Sequence, residues 1–439
     1  MKATVSLVLL FALLGCDATL SAPAEPAAPV EDLLVAAPAE AGMSAERLDR
    51  ITAMSQRYVD AGQLAGVVTL VARDGKIVHF EAVGQRGVDD PTPLAKDDLF
   101  RIYSMSKPIT AVAAMMLYEE GKFHMSDAVS EHVPELAGLE VLVDGERVPA
   151  EREMTMRQLL THTTGLSYGF NPNDPVDQLY REVQPLAGTN LDEFAERLAQ
   201  LPLAFQPGAR WHYSVAVDVT GLVVERLSGQ SFDVFLKERI FDPLGMEDTF
   251  FNVPDEKMGR FLPNHRWARD EGEGGGSPNG GKLVDLGEGA RTSYQNTQMF
   301  SGGGGLVSTA MDYLRFCEMV RRGGELDGAR LLSPRTVDFM VANHLPATIT
   351  GAGTGEQPGA GAASAFGFGL GWGVNVDPVA AGVPSSLGDY SWGGAAGTVF
   401  WIDPVQDMVV IGMIQLMGSP WPLRPDLQVL ANQAIVVAN

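Results

Sequence analysis

Apolar positions recur at two spacings along this chain, and the change from one to the other divides it into regions. From Met43 to Asp60 they return every three or four residues behind Ser44, a residue type that caps helix starts, which predicts a helix. Two short strands are predicted next, Val67 to Ala72 and Ile77 to Val83, joined by the Asp74-Gly75 turn. Helical spacing resumes after residue 104, with Ile109, Val112, Ala113, Met116 and Leu117 on one face and Gly121 as the stop. From about Gly121 to Phe300 the pattern stays mostly helical, including Met156 to His162, Val217 to Leu227 and Phe232 to Ile240. Strand patterns return at Gly367 to Val376, Thr398 to Asp403 and Met408 to Gln415, before a closing helix near Asp426 to Val437. Hairpin-like spacing at both ends predicts one antiparallel sheet shared by the amino- and carboxy-terminal parts. The expected fold is therefore α/β, of the α+β type. Residues 41–120 and 301–439 would form a sheet flanked by helices, and 121–300 a mostly helical second region. Two Gly-rich stretches, Glu271 to Gly281 and Gly351 to Ala363, read as surface loops, and no internal repeat is visible.

The residues before Met43 have a different character. Met1-Lys2 and the apolar run Val5 to Leu14 make the charged start and brief hydrophobic core of a secretory leader, too short to cross a membrane. The run ends in Leu13-Leu14-Gly15-Cys16, similar to the lipobox of bacterial lipoproteins, in which the cysteine becomes the lipid-bearing first residue. Cleavage after Ala22 is the rival, with Pro23 placed against it. The expected organisation is a leader at 1–15, an Ala/Pro/Glu-rich spacer at 16–40 and a domain at 41–439. Lipid on Cys16 would hold that domain at a membrane of the cell envelope, facing the periplasm.

Charge and cysteine usage narrow the partners. A formal net charge of −23 argues against nucleic acid, because phosphate binding needs clustered Lys and Arg. Cys16 and Cys317 are the only cysteines, so with Cys16 lipidated there is no disulfide framework. Cys317 follows the helical pattern Met311 to Phe316 and reads as a small buried hydrophobe. The histidines lack metal-ligand spacing, and neither metal nor cofactor is expected; His162, between Thr161 and Thr163, reads as a structural hydrogen-bonder. Oligomeric state is not legible.

Ser104-Met105-Ser106-Lys107 carries the sharpest chemistry. No other lysine of the chain has a serine three residues before it. Pro108 fits a helix only near its first turn, so Ser104 is expected at or just before the helix start, with Lys107 on the same face. There, free backbone N–H groups and the positive end of the helix dipole would lie beside an oxyanion. Taken alone, the tetrapeptide reads equally as a capping serine followed by a solvated lysine.

Further segments remove that balance. They are Phe100 to Pro108, Leu159 to Leu166, Pro207-Gly208 leading to Tyr213-Ser214-Val215, Pro243 to Met246, Gly303 to Thr309, and Ser391 to Gly397. In this order they resemble the serine β-lactamase and penicillin-binding-protein-like hydrolases, class C-like, and most of all the family VIII carboxylesterases. The resemblance implies a β-lactamase/transpeptidase-like fold and an acyl-enzyme on Ser104. It implies Lys107 and Tyr213 as the proton-handling pair, with the order between them open. It also implies an oxyanion hole from the backbone N–H groups of Ser104 and Ala395, and a substrate wall of Trp392, Gly393, Gly394 and Val215.

Two departures from β-lactamases point to the substrate. Val215 stands where an Asn would offer its amide, and Trp392 where a cation would hold a substrate carboxylate. Lacking those anchors, the site should favour short-chain neutral esters over anionic β-lactams or D-Ala-D-Ala peptides. The alternatives are a D-amino-acid peptidase or β-lactamase, or a catalytically idle envelope-binding domain. Gly165-Leu166-Ser167-Tyr168-Gly169 competes as a Gly-x-Ser-x-Gly elbow. That elbow needs a strand before it and a helix after, whereas the pattern here is helical before and a Pro-rich loop after.

Overall fold

Strands apolar on both faces need cover on both sides, and that requirement organises the molecule. A computed structural model describes residues 33–269, 280–287, 294–349 and 365–438. Eight strands form its main sheet: β1 (Leu34–Val35), β2 (Gly66–Arg73), β3 (Lys76–Gly84), β4 (Phe366–Phe368), β5 (Gly373–Asn375), β6 (Tyr390–Gly393), β7 (Val399–Asp403) and β8 (Met408–Met413). Their order is β1-β3-β2-β8-β7-β6-β5-β4. The two ends of the chain meet where β8 pairs antiparallel with β2, Val410 opposite Val71. Every pair is antiparallel except β1 with β3, so the sheet is mixed.

Side chains alternate between two cores. Val67, Val71, Trp401 and Val410 face a smaller core under α1 (Ala45–Asp60) and α8 (Leu423–Gln433). Val68, Leu70, Phe400 and Ile411 face the main core with α2 (Ser106–Glu119) and α7 (Ala310–Arg321). Ser44 Oγ accepts from the Arg47 N–H at 3.4 Å and caps α1, as the sequence indicates. In sequence, between the first strands of the sheet and the last, come α3 (Met156–Leu160), α4 (Pro175–Val183), α5 (Leu191–Leu198) and α6 (Ala216–Ser228).

Three expectations change. The strand expected over 367–376 is two strands, β4 and β5, because Gly369–Gly371 turn the chain; a Cβ at Gly371 would sit 2.6 Å from that of Ala111. The helix expected over 232–240 holds α-form only to Leu236 and passes into a wider π turn, Lys237–Phe241. The one-sided face expected for α2 is in fact burial all round, from Ser106 to Leu117, since α6 covers what the sheet does not. Residues 1–32, and the Gly-rich stretches apart from 280–281, lie outside the described residues.

Candidate active site

Ser104 is presented by a tight turn. Tyr103–Met105 form a 3-10 turn that feeds α2, and Pro108 occupies the first turn of that helix, where no helical N–H is lost. Tyr103 adopts φ +43°, a left-handed backbone unusual for a bulky residue, and its hydroxyl accepts from Asn264 Nδ2 at 2.8 Å. Tyr313 on α7 donates to the Met105 carbonyl at 2.9 Å, and Ser106 Oγ accepts from the Leu306 N–H at 3.2 Å, clamping the turn from behind. Ser104 itself stays partly accessible, whereas Lys107 is wholly buried.

Lys107 Nζ has three hydrogen-bond partners, one for each donor a protonated amine can offer. Nζ donates to Ser104 Oγ at 3.2 Å, to the Tyr168 hydroxyl at 2.9 Å and to the Gly303 carbonyl at 2.6 Å. Tyr213, just ahead of α6, donates from its hydroxyl to Ser104 Oγ at 2.7 Å. One serine oxygen therefore lies within proton-transfer reach of a phenol and an amine. The Tyr213 ring is held by Trp211, stacked at 6.2 Å, by His162 at 4.9 Å and by Trp392 at 5.5 Å; Trp392 Nε1 also donates to the Tyr213 hydroxyl at 3.4 Å.

β6 brings the remaining wall. Tyr390 and Trp392 face the main core and the site, while Ser391 faces the opposite way and accepts from Arg424 of α8. The turn after Gly393 presses against the strand leading to Ser104: a Cβ at Gly394 would lie 2.5 Å from the Ile102 carbonyl and clash with Thr398. Ala395 follows in that turn, partly accessible. Its carbonyl accepts from the Gly418 N–H at 3.0 Å, and its own N–H has no hydrogen-bond partner among the described residues. Val215, fully buried, immediately precedes α6 and donates its N–H to the Ser167 carbonyl at 3.3 Å.

Ser167 is no elbow nucleophile. It is buried on a loop after α3 with no strand before it, and its hydroxyl is tied to Asp177 of α4 and, at 2.9 Å, to His212. Here the serine bridges acid and imidazole, whereas a triad needs the imidazole between the other two. These bonds pin the loop that delivers Tyr168. Tyr168 and Asp218 are the two site residues that sequence reasoning passed over. The only signal for Asp218 was a carboxylate in the apolar run Val215 to Val224. Its carboxylate accepts from the Tyr168 hydroxyl at 3.3 Å, the Gly303 N–H at 3.0 Å and the Ser301 hydroxyl.

Burial sets the electrostatics. It holds the His162 imidazole well below its usual range, with Lys107 adding to the effect, so the ring is neutral at pH 7. Nδ1 of His162 lies 3.3 Å from Ser214 Oγ, the structural bond its sequence position suggests. Burial also raises the Tyr168 phenol well above 10, helped by the Asp218 charge. The Asp218 carboxyl is raised by its own burial, against the pull of Lys107 and its three donors. Beside Tyr168 and Val215 a cleft of about 370 Å³ opens against Tyr180, Arg181, Gln184 and the Pro185–Ala187 turn. Phe170, 60 % exposed, stacks on Tyr168 at 5.0 Å at the site's outer edge.

The family model named Beta-lactamase matches residues 51–435. Protein Rv1367c of Mycobacterium tuberculosis is 35 % identical over 404 residues, covering 88 % of this chain and 93 % of its own. Esterase EstB of Burkholderia gladioli is 32 % identical over 381 residues, covering 82 % and 88 %. Among solved structures, EstCE1, a hydrolase with promiscuous acyltransferase activity, superposes with a TM-score of 0.72 at 27 % identity, covering 89 % of this chain and 99 % of its own.

Proposed function

Since the chain belongs to the Beta-lactamase family of serine hydrolases, we propose that it cleaves short-chain carboxylic esters through an acyl-enzyme on Ser104. The observation that carries this reading is the Ser104 oxygen at 2.7 Å from the Tyr213 hydroxyl and 3.2 Å from Lys107 Nζ, in a site walled by Trp392 and Val215. Ser104 Oγ attacks the ester carbonyl while its proton passes to the Tyr213–Lys107 pair, which acts with one proton fewer than phenol plus ammonium, either as phenol and free amine or as phenolate and ammonium. The backbone N–H groups of Ser104 and Ala395 take the oxyanion. Collapse of that intermediate sends the proton on to the departing alcohol, and water then hydrolyses the acyl-serine with the same pair as base. Trp392, Gly393, Gly394 and Val215 form the wall against the acyl group. The cleft beside Tyr168, lined by Val215, Pro185, Leu186 and Ala187 together with Arg181 and Gln184, adds room for a substituent, and no cation stands at Trp392 to reward a carboxylate.

The test is turnover of p-nitrophenyl acetate and butyrate by the mature domain beside its Ser104→Ala form, with nitrocefin and D-Ala-containing peptides in parallel. Ester turnover that vanishes in Ser104→Ala, with mass spectrometry finding the acyl group on residue 104, is the expected result. Equal rates for the two forms overturn the reading, and faster cleavage of nitrocefin or the peptides replaces it with the lactamase or peptidase activity. Lipid on Cys16, anchoring the domain in the cell envelope, is part of the same proposal. A Cys16→Ser form should leave the membrane fraction with its esterase activity intact, whereas wild-type protein found free and processed after Ala22 refutes the anchor.

A further inference from the structure

Asp218 touches neither Ser104 nor Lys107, yet it binds both of the groups that, besides Ser104, receive the Lys107 ammonium. Lys107 Nζ donates to the Tyr168 hydroxyl and to the Gly303 carbonyl. The same Tyr168 hydroxyl donates to Asp218 Oδ2, and the N–H of the same Gly303 donates to Asp218 Oδ1. Ser301 adds a third donor. The approach depends on the absence of a side chain at residue 303, since a Cβ there would lie 2.3 Å from Asp218 Oδ2 and 2.7 Å from the Tyr168 oxygen. A buried carboxylate with three donors, one shell away from a buried amine, is an arrangement whose desolvation cost is offset only when charge is balanced across it.

We propose that Asp218 is the positioning residue and counter-charge of Lys107, acting through Tyr168 and the Gly303 peptide to fix where the amine points and how tightly it keeps its proton. This rests on the role proposed above for Lys107. The groups facing Lys107 are Ser104 and Tyr213 from the turn and from the segment before α6, Tyr168 and His162 from either end of the 161–168 loop, and Asp218 from α6. Of these, His162 is neutral and Tyr168 stays protonated, while Asp218 accepts from three donors, the pattern of a carboxylate, and is the one carboxyl group of the set that can carry negative charge. Burial works against that charge and Lys107 works for it.

The sign of the effect follows. Deleting the negative charge makes protonated Lys107 less stable, so the limb of the pH–rate profile that belongs to Lys107 moves to lower pH, by about one unit. Should Lys107 act as a free amine, the moving limb of kcat/KM is the acid one; should it act as an ammonium beside Tyr213 as base, it is the alkaline one. The experiment compares kcat/KM for p-nitrophenyl butyrate from pH 5 to 10 in wild type and Asp218→Asn, normalised to sites that react with a fluorophosphonate. Expected are a shifted limb and a kcat lowered about tenfold with KM changed less than about twofold. A lower melting temperature with both limbs unmoved overturns the proposal and leaves Asp218 a structural residue. Asp218→Ser gives the same reading where Asn prevents folding. A wild type with no Ser104-dependent turnover would instead defeat the esterase reading, so the two failures are told apart.

Discussion

Ser104 and Lys107 were legible in the sequence because their relation is local. One turn of helix brings a residue and its third neighbour together whatever the rest of the chain does. Tyr213 needed the family resemblance, since its hydroxyl meets Ser104 across 109 residues. Tyr168 was hidden by a misleading motif: the Gly-x-Ser-x-Gly spacing drew attention to Ser167, while the neighbouring residue reaches the amine. Tertiary packing decides such placements, and spacing does not encode it. At this scale the proton-handling pair makes a direct prediction. Lys107→Ala and Tyr213→Phe should each lower kcat about a hundred- to ten-thousand-fold. The double variant should be little worse than the worse single one, because two groups serving one oxygen fail as a unit. Losses that multiply would show the pair acting independently.

Among the elements, the segment 302–305 shows what glycine accomplishes at a crowded crossing. It passes between α2 and α6 so closely that added Cβ atoms would strike Thr110 and the Val217 carbonyl from Gly302, Asp218 from Gly303 and the Phe251 ring from Gly305. Gly303→Ala should therefore cost about 1–3 kcal/mol of stability by overpacking and displace Tyr168 from Lys107. A thermal melt unchanged from wild type, with full esterase turnover, would contradict that reading. The elements themselves were readable where one face met solvent, as in α1 with its Ser44 cap. Where burial was complete less could be read: α2 was expected as a helix but, with no polar face to reveal its surroundings, not as one buried all round, and a short apolar run with glycines cannot say whether it continues or folds back, as β4 and β5 do.

For the whole molecule, buried ionisable groups far from the site set the response to pH. His79 on β3 lies 2.8 Å from Thr69 Oγ1 on β2, and burial, reinforced by Lys96, lowers its pKa to about 4. It borders a groove of about 740 Å³ between β1, α1 and β3 that shares no lining residue with the cleft beside Tyr168. A histidine whose folded-state value lies below its unfolded one contributes stability that is present above about pH 6.5 and is lost as pH falls toward 4. The loss amounts to roughly 3 kcal/mol at most. His79→Gln, neutral throughout, should lose less melting temperature than wild type between pH 7 and pH 4.5. Parallel losses in the two proteins would place the acid sensitivity elsewhere.

The join between β2 and β8 bears on the order of events during synthesis. A ribosome makes Gly66–Arg73 long before Met408–Met413, yet these strands lie side by side, and β6 with its Ala395 turn depends on the sheet they close. A nascent chain can form α1 and the β2–β3 hairpin, but it cannot assemble the pocket until β8 has emerged. Contacts so distant along the chain make closure slow and leave the half-made sheet with an open edge. Tethered translation intermediates should thus stay unreactive toward a fluorophosphonate until β8 is exposed, and two fragments divided between α6 and α7 should regain labelling only when mixed.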